Sequence, residues 1–173
     1  MSGDELRLSD GRVVLRPWAD DDLAAMVALF DEPEIAFRVP VAAPFDLAAA
    51  RTHLDMTRRA WAKGGWRYLV ITEAGDDRPC GEVLLNPVGH TIGYVVGAAY
   101  RRRGLATAAL RLVTGYAHDT LAMPEVYLDI EADNAGSVAV ARSAGFRPAD
   151  LAPQEVEDKG RRYLLHRWVH QAE

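Results

Sequence analysis

The hydrophobic spacing of this chain changes abruptly at Gly104, and few folds accommodate the change. Ahead of it, residues 66–72, 80–85 and 91–96 form three short apolar, β-branched runs, separated by Ala74-Gly75-Asp76-Asp77 and by Asn86-Pro87 with Gly89. That is the pattern of an antiparallel meander. Beyond it, Leu105, Ala108, Ala109, Leu112, Val113, Tyr116 and Ala117 fall at offsets of 0, 3, 4, 7, 8, 11 and 12, one continuous face of a helix. The junction reads Tyr100-Arg101-Arg102-Arg103-Gly104-Leu105-Ala106-Thr107. A strand-to-helix junction leaves the first helical N–H groups without intrahelical acceptors and aims their partial positive charge outward. A glycine there admits a ligand with no Cβ in its way. Three arginines add local positive charge and the paired donors that suit phosphate. The segment therefore predicts an anion site for a diphosphate or larger; the alternative is a solvated basic loop ahead of an ordinary helix start.

The remaining elements follow from the same kind of pattern. Residues 13–18 form an opening strand after Asp10-Gly11, with Pro17 at its end. Asp20-Asp21-Asp22 then precedes Leu23, Met26, Val27 and Phe30, a helical face with acids at its N-terminus. That helix is expected to end near Pro33, and residues 36–44, with two prolines and no period, are expected to lack one. Asp46 caps a helix through Leu47, Leu54 and Trp61 to Gly64-Gly65. Val126, Leu128 and Ile130 alternate with Tyr127, Asp129 and Glu131 in a strand, followed by a helix over about 135–144 and a break at Gly145. Residues 161–170 return to strand. The order β-α-α-β-β-β-α-β-α-β-β, without repeats, low-complexity tracts or linkers, predicts a single α+β domain over residues 1–173.

Composition narrows the function classes. With 49% hydrophobic and 26% charged residues the chain buries an ordinary core, which excludes disorder. Lysine plus arginine number 20 against 25 acids, a net charge of −5, so the chain as a whole has no electrostatic reason to seek nucleic acid or an anionic membrane. No apolar run approaches the roughly 20 residues of a spanning helix. Residues 1–10, with Asp4, Glu5 and Asp10 and no apolar stretch, read as neither signal peptide nor anchor. The lone Cys80 excludes an internal disulfide and a cysteine zinc cluster, and suits the reducing cytoplasm. No histidines and acids stand at metal-ligand spacing, so no metal is expected. Gly-x-x-x-x-Gly-Lys-Ser/Thr is absent, as is a Gly-x-Gly-x-x-Gly opening a βαβ unit, which removes the main support for ATPase and dinucleotide readings.

Arg101-x-x-Gly104-x-Ala106 resembles the Arg/Gln-x-x-Gly-x-Gly/Ala signature of the GNAT superfamily of N-acetyltransferases. Asn134-Ala135-Gly136-Ser137, continuing to Gly145-Phe146, resembles that family's second signature, Asn-x-x-Ser/Ala before a helix ending in Gly-Phe. Ile92-Gly93-Tyr94 and the early Leu15-Arg16-Pro17 are similar to its RimJ/RimL-like branch. The resemblance spans about residues 12–168. It implies a mixed, mostly antiparallel twisted sheet flanked by helices, with a splayed parallel strand pair at the cofactor site. It implies transfer of an acetyl group from acetyl-coenzyme A directly to a primary amine, on a protein N-terminus or a small molecule.

The resemblance also distributes roles. Backbone amides over Arg101, Arg102, Arg103, Gly104, Leu105, Ala106 and Thr107 would hold the cofactor's diphosphate, and Val95 and Val96 its pantetheine arm. Asn134 would bind that arm or simply cap its helix, and Arg142 would meet a cofactor phosphate or lie exposed. Where many relatives carry a tyrosine for the leaving thiolate, this chain has Ala141, so Ser137, matching a serine of the RimJ/RimL-like branch, takes the acid role, with helix capping as its alternative. Where relatives often carry a glutamate before Ile-Gly-Tyr, this chain has His90-Thr91. Glu82 and Glu131, on neighbouring predicted strands, are the candidates for the base, with Glu82 preferred unless it lies on a wet sheet face. His118 is read as structural. Phe37, Phe45, Trp61 and Trp66 border the helical insertion that covers the acceptor side in relatives, with core packing as the default. An exposed strand over residues 163–169 suggests a homodimer. The alternatives are a coenzyme A-binding regulatory domain without catalysis and, against the acidic balance, a nucleic-acid module using the arginine run.

Overall fold

The computed structural model describes residues 6–173, so Asp4 and Glu5, which enter the expectation of no leader or anchor, lie outside the described residues. The chain runs β1 (Leu8–Ser9), β2 (Val13–Arg16), α1 (Leu23–Phe30), α2 (Pro33–Arg38), α3 (Leu47–Ala62), β3 (Arg67–Glu73), β4 (Asp76–Asn86), β5 (Thr91–Val96), α4 (Leu105–Asp119), β6 (Glu125–Ile130), α5 (Ala135–Ser143), β7 (Arg147–Pro148), β8 (Gln154–Asp158) and β9 (Arg161–Gln171). The sheet order is β1-β2-β3-β4-β5-β6-β9-β7, with β8 also beside β9. Every pairing is antiparallel except β5 with β6. This is the mixed, helix-flanked sheet that the family resemblance implies.

Alternation along the strands sends side chains to two cores. Leu69 and Ile71 of β3 join Val83, Leu85, Ile92 and the apolar face of α4 (Leu105, Ala109, Leu110, Val113 and Ala117) on one side. Val70, between them, faces the other side, where Trp18, Met26, Phe30, Phe45 and Leu54 bring α1 and α3 together. Period two in the strand and 3.6 in the helix meet here as expected. Complete burial of each large apolar side chain contributes roughly 1.5–3 kcal/mol.

Two differences from the sequence reading have physical causes. Pro33 starts α2 rather than ending α1: it occupies the first helical turn, where a missing N–H costs nothing, and the helix continues to Arg38. Asp20–Asp22 form a 3-10 turn rather than a bare acidic cap, and Asp22 is buried against Arg16, with bonds of 2.7 and 3.0 Å to its two carboxylate oxygens. Such a pair stabilises only when whole, because losing one partner from a buried ion pair costs about 3–5 kcal/mol. Finally, β9 pairs with β6 over His166–Gln171, with β7 at Trp168 and Val169, and with β8 over Arg161–Leu165. Every residue from 163 to 169 is thus paired with a strand of the same chain on at least one side.

His118, read as structural, packs as one. Its Nδ1 bonds the Met123 carbonyl at 2.6 Å and its Nε2 lies 3.0 Å from His170 Nδ1. A carbonyl only accepts, so Nδ1 carries the proton of a neutral His118, and His170 Nδ1 must then donate to its Nε2. Burial, followed by the neighbouring His118, holds His170 below the ordinary value of 6.5. The unfolded chain therefore binds a proton that the fold resists, and stability falls as pH drops through about 6.5. Urea midpoints measured from pH 7.5 to 5 are expected to decline less steeply in His170→Asn than in the wild type; equal slopes would exclude this pair as a source of acid sensitivity.

Candidate active site

β5 and β6 are paired at one position only. Thr91 lies opposite Tyr127, and Tyr127 N–H donates to the His90 carbonyl at 2.8 Å. Beyond that point β5 continues to Val96 and β6 to Ile130 with no further ladder between them. The parallel pair is thus splayed, as expected, and one flank of β5 near Val95 and Val96 is left without a strand partner. Unpaired strand groups of this kind are ready to bond an amide-bearing ligand.

The other flank of β5 is held unusually close. Gly81 on β4 sits opposite Val96, and a Cβ at Gly81 would lie 2.2 Å from the Val95 carbonyl oxygen and 3.0 Å from Val96 Cα. Only glycine permits this approach. The sequence reading did not single out Gly81, although an isolated glycine inside a strand is itself a signal of close backbone contact.

A cavity of about 560 Å³ lies at the splay. Val95, Val96 and Tyr94 line it from β5, and Gly104, Leu105, Ala106 and Thr107 from the start of α4. Asn134, Ser137 and Val140 line it from α5, and Glu34, Ile35 and Arg38 from α2. Gly104 takes the left-handed conformation, φ 74°, as N-cap of α4. The first helical bond there is Ala108 N–H to the Gly104 carbonyl, so the amides of residues 105–107 have no acceptor within the helix. The first turns of α4 and α5 both border the cavity and both bring positive helix ends to it.

The arginine run divides its labour. Arg101 and Arg102 line the cavity. Arg101 is already engaged: Nε donates to the Val96 carbonyl at 3.2 Å and Nη1 to Glu34 at 2.5 Å, with Glu32 at 3.4 Å. Arg103 lies off the cavity wall, its guanidinium bonding Glu73 and the Ala99 carbonyl and lying over the Tyr100 ring. The successive residues of the turn point in different directions, so three adjacent guanidiniums do not converge. Arg142 is likewise off the wall; it is exposed and lies over Trp168, because its position on α5 faces away from the cavity.

Asn134 is the N-cap of α5, its Oδ1 accepting the Ser137 N–H at 3.2 Å. Capping therefore falls to Asn134, and the Ser137 hydroxyl, without an intramolecular partner among the described residues, borders the cavity. The Tyr94 hydroxyl donates to the Ser137 carbonyl at 2.9 Å and ties that turn to β5. Burial pushes the Tyr94 phenol up to about 12, so it stays a donor. Ala141 is fully buried in the core.

The two carboxylate candidates separate clearly. Arg161 grips Glu131 with bonds of 2.8 and 2.9 Å and Arg38 adds a contact at 3.0 Å. These guanidiniums, Arg161 foremost, hold Glu131 below the usual carboxylate range, which makes it a poor proton acceptor. Glu82 is not on a wet sheet face: it is 4% exposed, covered by α3, and accepts the Trp18 indole N–H at 2.6 Å with His53 Nε2 at 2.8 Å. It lies off the cavity wall, yet pairs across the ladder with Val95 and so shares that residue's sheet face. His90 Nδ1 contacts the Glu125 carbonyl in a turn away from the cavity. Phe45 belongs to the α1–α3 core and Trp61 packs against the α4 core. Phe37 and Trp66 are exposed, the first beneath Arg161 and the second stacked on Tyr68. None of the four aromatics lines the cavity. Among the described residues no group of three or more His, Cys, Asp or Glu is placed to hold a metal ion, and no helix is long and apolar enough to cross a membrane.

Residues 12–147 match the family model of the acetyltransferase (GNAT) domain. The probable N-acetyltransferase YjcK of Bacillus subtilis (strain 168) is 32% identical over 96 residues, which is 52% of this chain and 53% of that protein. The match thus spans about half the length of that curated relative. A Vibrio cholerae protein described as a "putative ribosomal-protein-serine acetyltransferase" superposes with a TM-score of 0.85 at 19% identity, covering 98% of this chain and 99% of that one. RimJ of Mycobacterium smegmatis, solved in complex with CoA-disulfide, gives a TM-score of 0.81 at 22% identity, covering 96% and 85%.

Proposed function

Because the chain belongs to the GNAT acetyltransferase family, we propose that it transfers an acetyl group from acetyl-coenzyme A directly to a primary amine, on a protein N-terminus or a small molecule. The observation that carries this reading is the meeting, on one cavity, of the unpaired flank of β5, the orphan amides of residues 105–107 and the Ser137 hydroxyl. The residues fit the group. An extended amide-bearing arm suits Val95 and Val96, and a diphosphate suits the turn at Gly104 with Arg101 and Arg102. Leu105, Ala106 and Thr107 contribute backbone, and Asn134 holds the turn that presents Ser137. The RimJ complex with CoA-disulfide supports a coenzyme A ligand for this fold. The buried thiol of Cys80 suits a cytoplasmic enzyme.

When bound, acetyl-coenzyme A supplies an activated acyl carbonyl. The chain's own groups then move protons. Glu82, through water, would take the proton that the acceptor amine gives up on acylation, and the Ser137 hydroxyl, reprotonated from solvent, would supply the proton that the departing thiolate needs. A second reading, a coenzyme A-binding regulatory domain without catalysis, draws on the buried Ala141 where many relatives place a tyrosine.

Thiol release from acetyl-coenzyme A, measured with peptides bearing free Ser or Ala N-termini and with small primary amines, separates the two. Acceptor-dependent release is expected; coenzyme A binding with no release from any acceptor would favour the regulatory reading. Ser137→Ala is expected to lower kcat at least ~10-fold while coenzyme A affinity changes less than about twofold. Unchanged kcat removes Ser137 from the acid role.

A further inference from the structure

The carboxylate of Glu82 is held by two residues that the reaction scheme leaves without a task. Its Oε2 accepts the Trp18 indole N–H at 2.6 Å and lies 2.8 Å from His53 Nε2. An indole N–H only donates, so Oε2 is an acceptor, and a carboxylate oxygen asks the same of the imidazole: Nε2 carries the proton. Oε1 accepts no bond from the described residues, and it is not sealed either, since the buried polar atoms without a partner are Arg67 Nε and Thr114 Oγ1. Among the described residues His53 is the one cationic-type side chain within ion-pair distance of Glu82.

The imidazole is fixed as firmly as the carboxylate. Phe30 of α1, Phe45 ahead of α3 and Tyr68 of β3 pack against it edge-on, with ring centroids 5.5, 6.2 and 5.7 Å away. The titratable groups in contact with His53 from these packed elements are Glu82 and Tyr68, and α1 and the turn before α3 contribute the Phe30 and Phe45 rings. Two donors on one oxygen leave the other oxygen as the single site for an incoming proton, and withdrawing a donor from a carboxylate disfavours its charged form.

We propose that His53 is the positioning residue of the base: with Trp18 it donates to Oε2, fixes the orientation of the Glu82 carboxylate in the sheet, and reserves Oε1 for the proton of the acceptor amine. This rests on the reading of Glu82 as base. His53 does not touch the substrate; it acts through Glu82.

The test compares wild type, Glu82→Gln, His53→Leu and His53→Gln. The Glu82 carboxyl is followed by 13C NMR in protein labelled at glutamate Cδ, assigned by its loss in Glu82→Gln, without cofactor or acceptor. Its titration is expected at higher pH in His53→Leu than in wild type and returned toward wild type in His53→Gln, whose amide donates again. Trp18→Phe withdraws the other donor, should move the titration the same way, and serves if His53→Leu does not fold. In acetyl transfer to the Ser- and Ala-terminated peptides, His53→Leu should lower kcat about 10-fold near pH 6 with KM within twofold, and shift the acid limb of kcat/KM to higher pH. A Glu82 titration identical in wild type and the donor-deleted variants overturns the proposal whatever the turnover. Impaired Glu82→Gln with unaltered pH profiles in the His53 variants overturns it while sparing the base reading. Unimpaired Glu82→Gln overturns both.

Discussion

Gly104→Glu abolishes calorimetrically measurable coenzyme A binding, an expected weakening of at least ~100-fold, or about 2.7 kcal/mol. Two effects add. At φ 74° a side chain forces the left-handed conformation, which costs roughly 1–2 kcal/mol. The new Cβ would also come within 3.3 Å of Arg12 Nη1, and Arg12 holds the Arg103 carbonyl of the same turn. The larger effect is charge, because the carboxylate stands in front of the amides of residues 105–107, where a diphosphate is expected to sit. Gly104→Ala carries the strain without the charge and is expected to weaken binding by less than about tenfold. Coenzyme A affinity within threefold of wild type in Gly104→Glu would contradict the assignment of this turn.

Gly81→Ala is expected to destabilise the fold by about 1–3 kcal/mol, the range for forcing volume into a packed site, and to weaken coenzyme A binding at the same time. The added methyl has no room: the Val95 carbonyl oxygen 2.2 Å away is backbone and cannot swing aside. β4 and β5 must separate there, which displaces the two residues that floor the cavity. Urea denaturation and calorimetry on one preparation read both effects. A variant with wild-type stability and affinity would mean that the strands absorb the methyl elsewhere.

Much of this was legible in the sequence because it is local. The face of α4, the meander of β3, β4 and β5, and the Asp46 cap, whose Oδ1 accepts the Ala49 N–H at 2.8 Å, depend on residues a few positions apart. α2 was hidden because a proline ends one helix and begins another with the same letter, and only its position relative to the first turn decides which. Arg103 and Arg142 carry the right charge in the right motifs, but motif spacing says nothing about which way a side chain leaves the backbone. The burial of Glu82 was the least accessible feature. Alternation with Val83 gives its face, but whether that face is wet depends on α3 docking across it, and its partners lie 64 and 29 residues away in the chain.

The single rung joining Thr91 to Tyr127 makes the sheet two leaves sharing a short spine, with β1 to β5 on one and β6, β9 and β7 on the other. A ligand lying in the gap would add the cross-links that the polypeptide omits there. Cohesion between the leaves and occupancy of the gap would then draw on the same main-chain atoms, so that in this protein tight grip on a ligand and resistance to unfolding are two readings of one set of bonds.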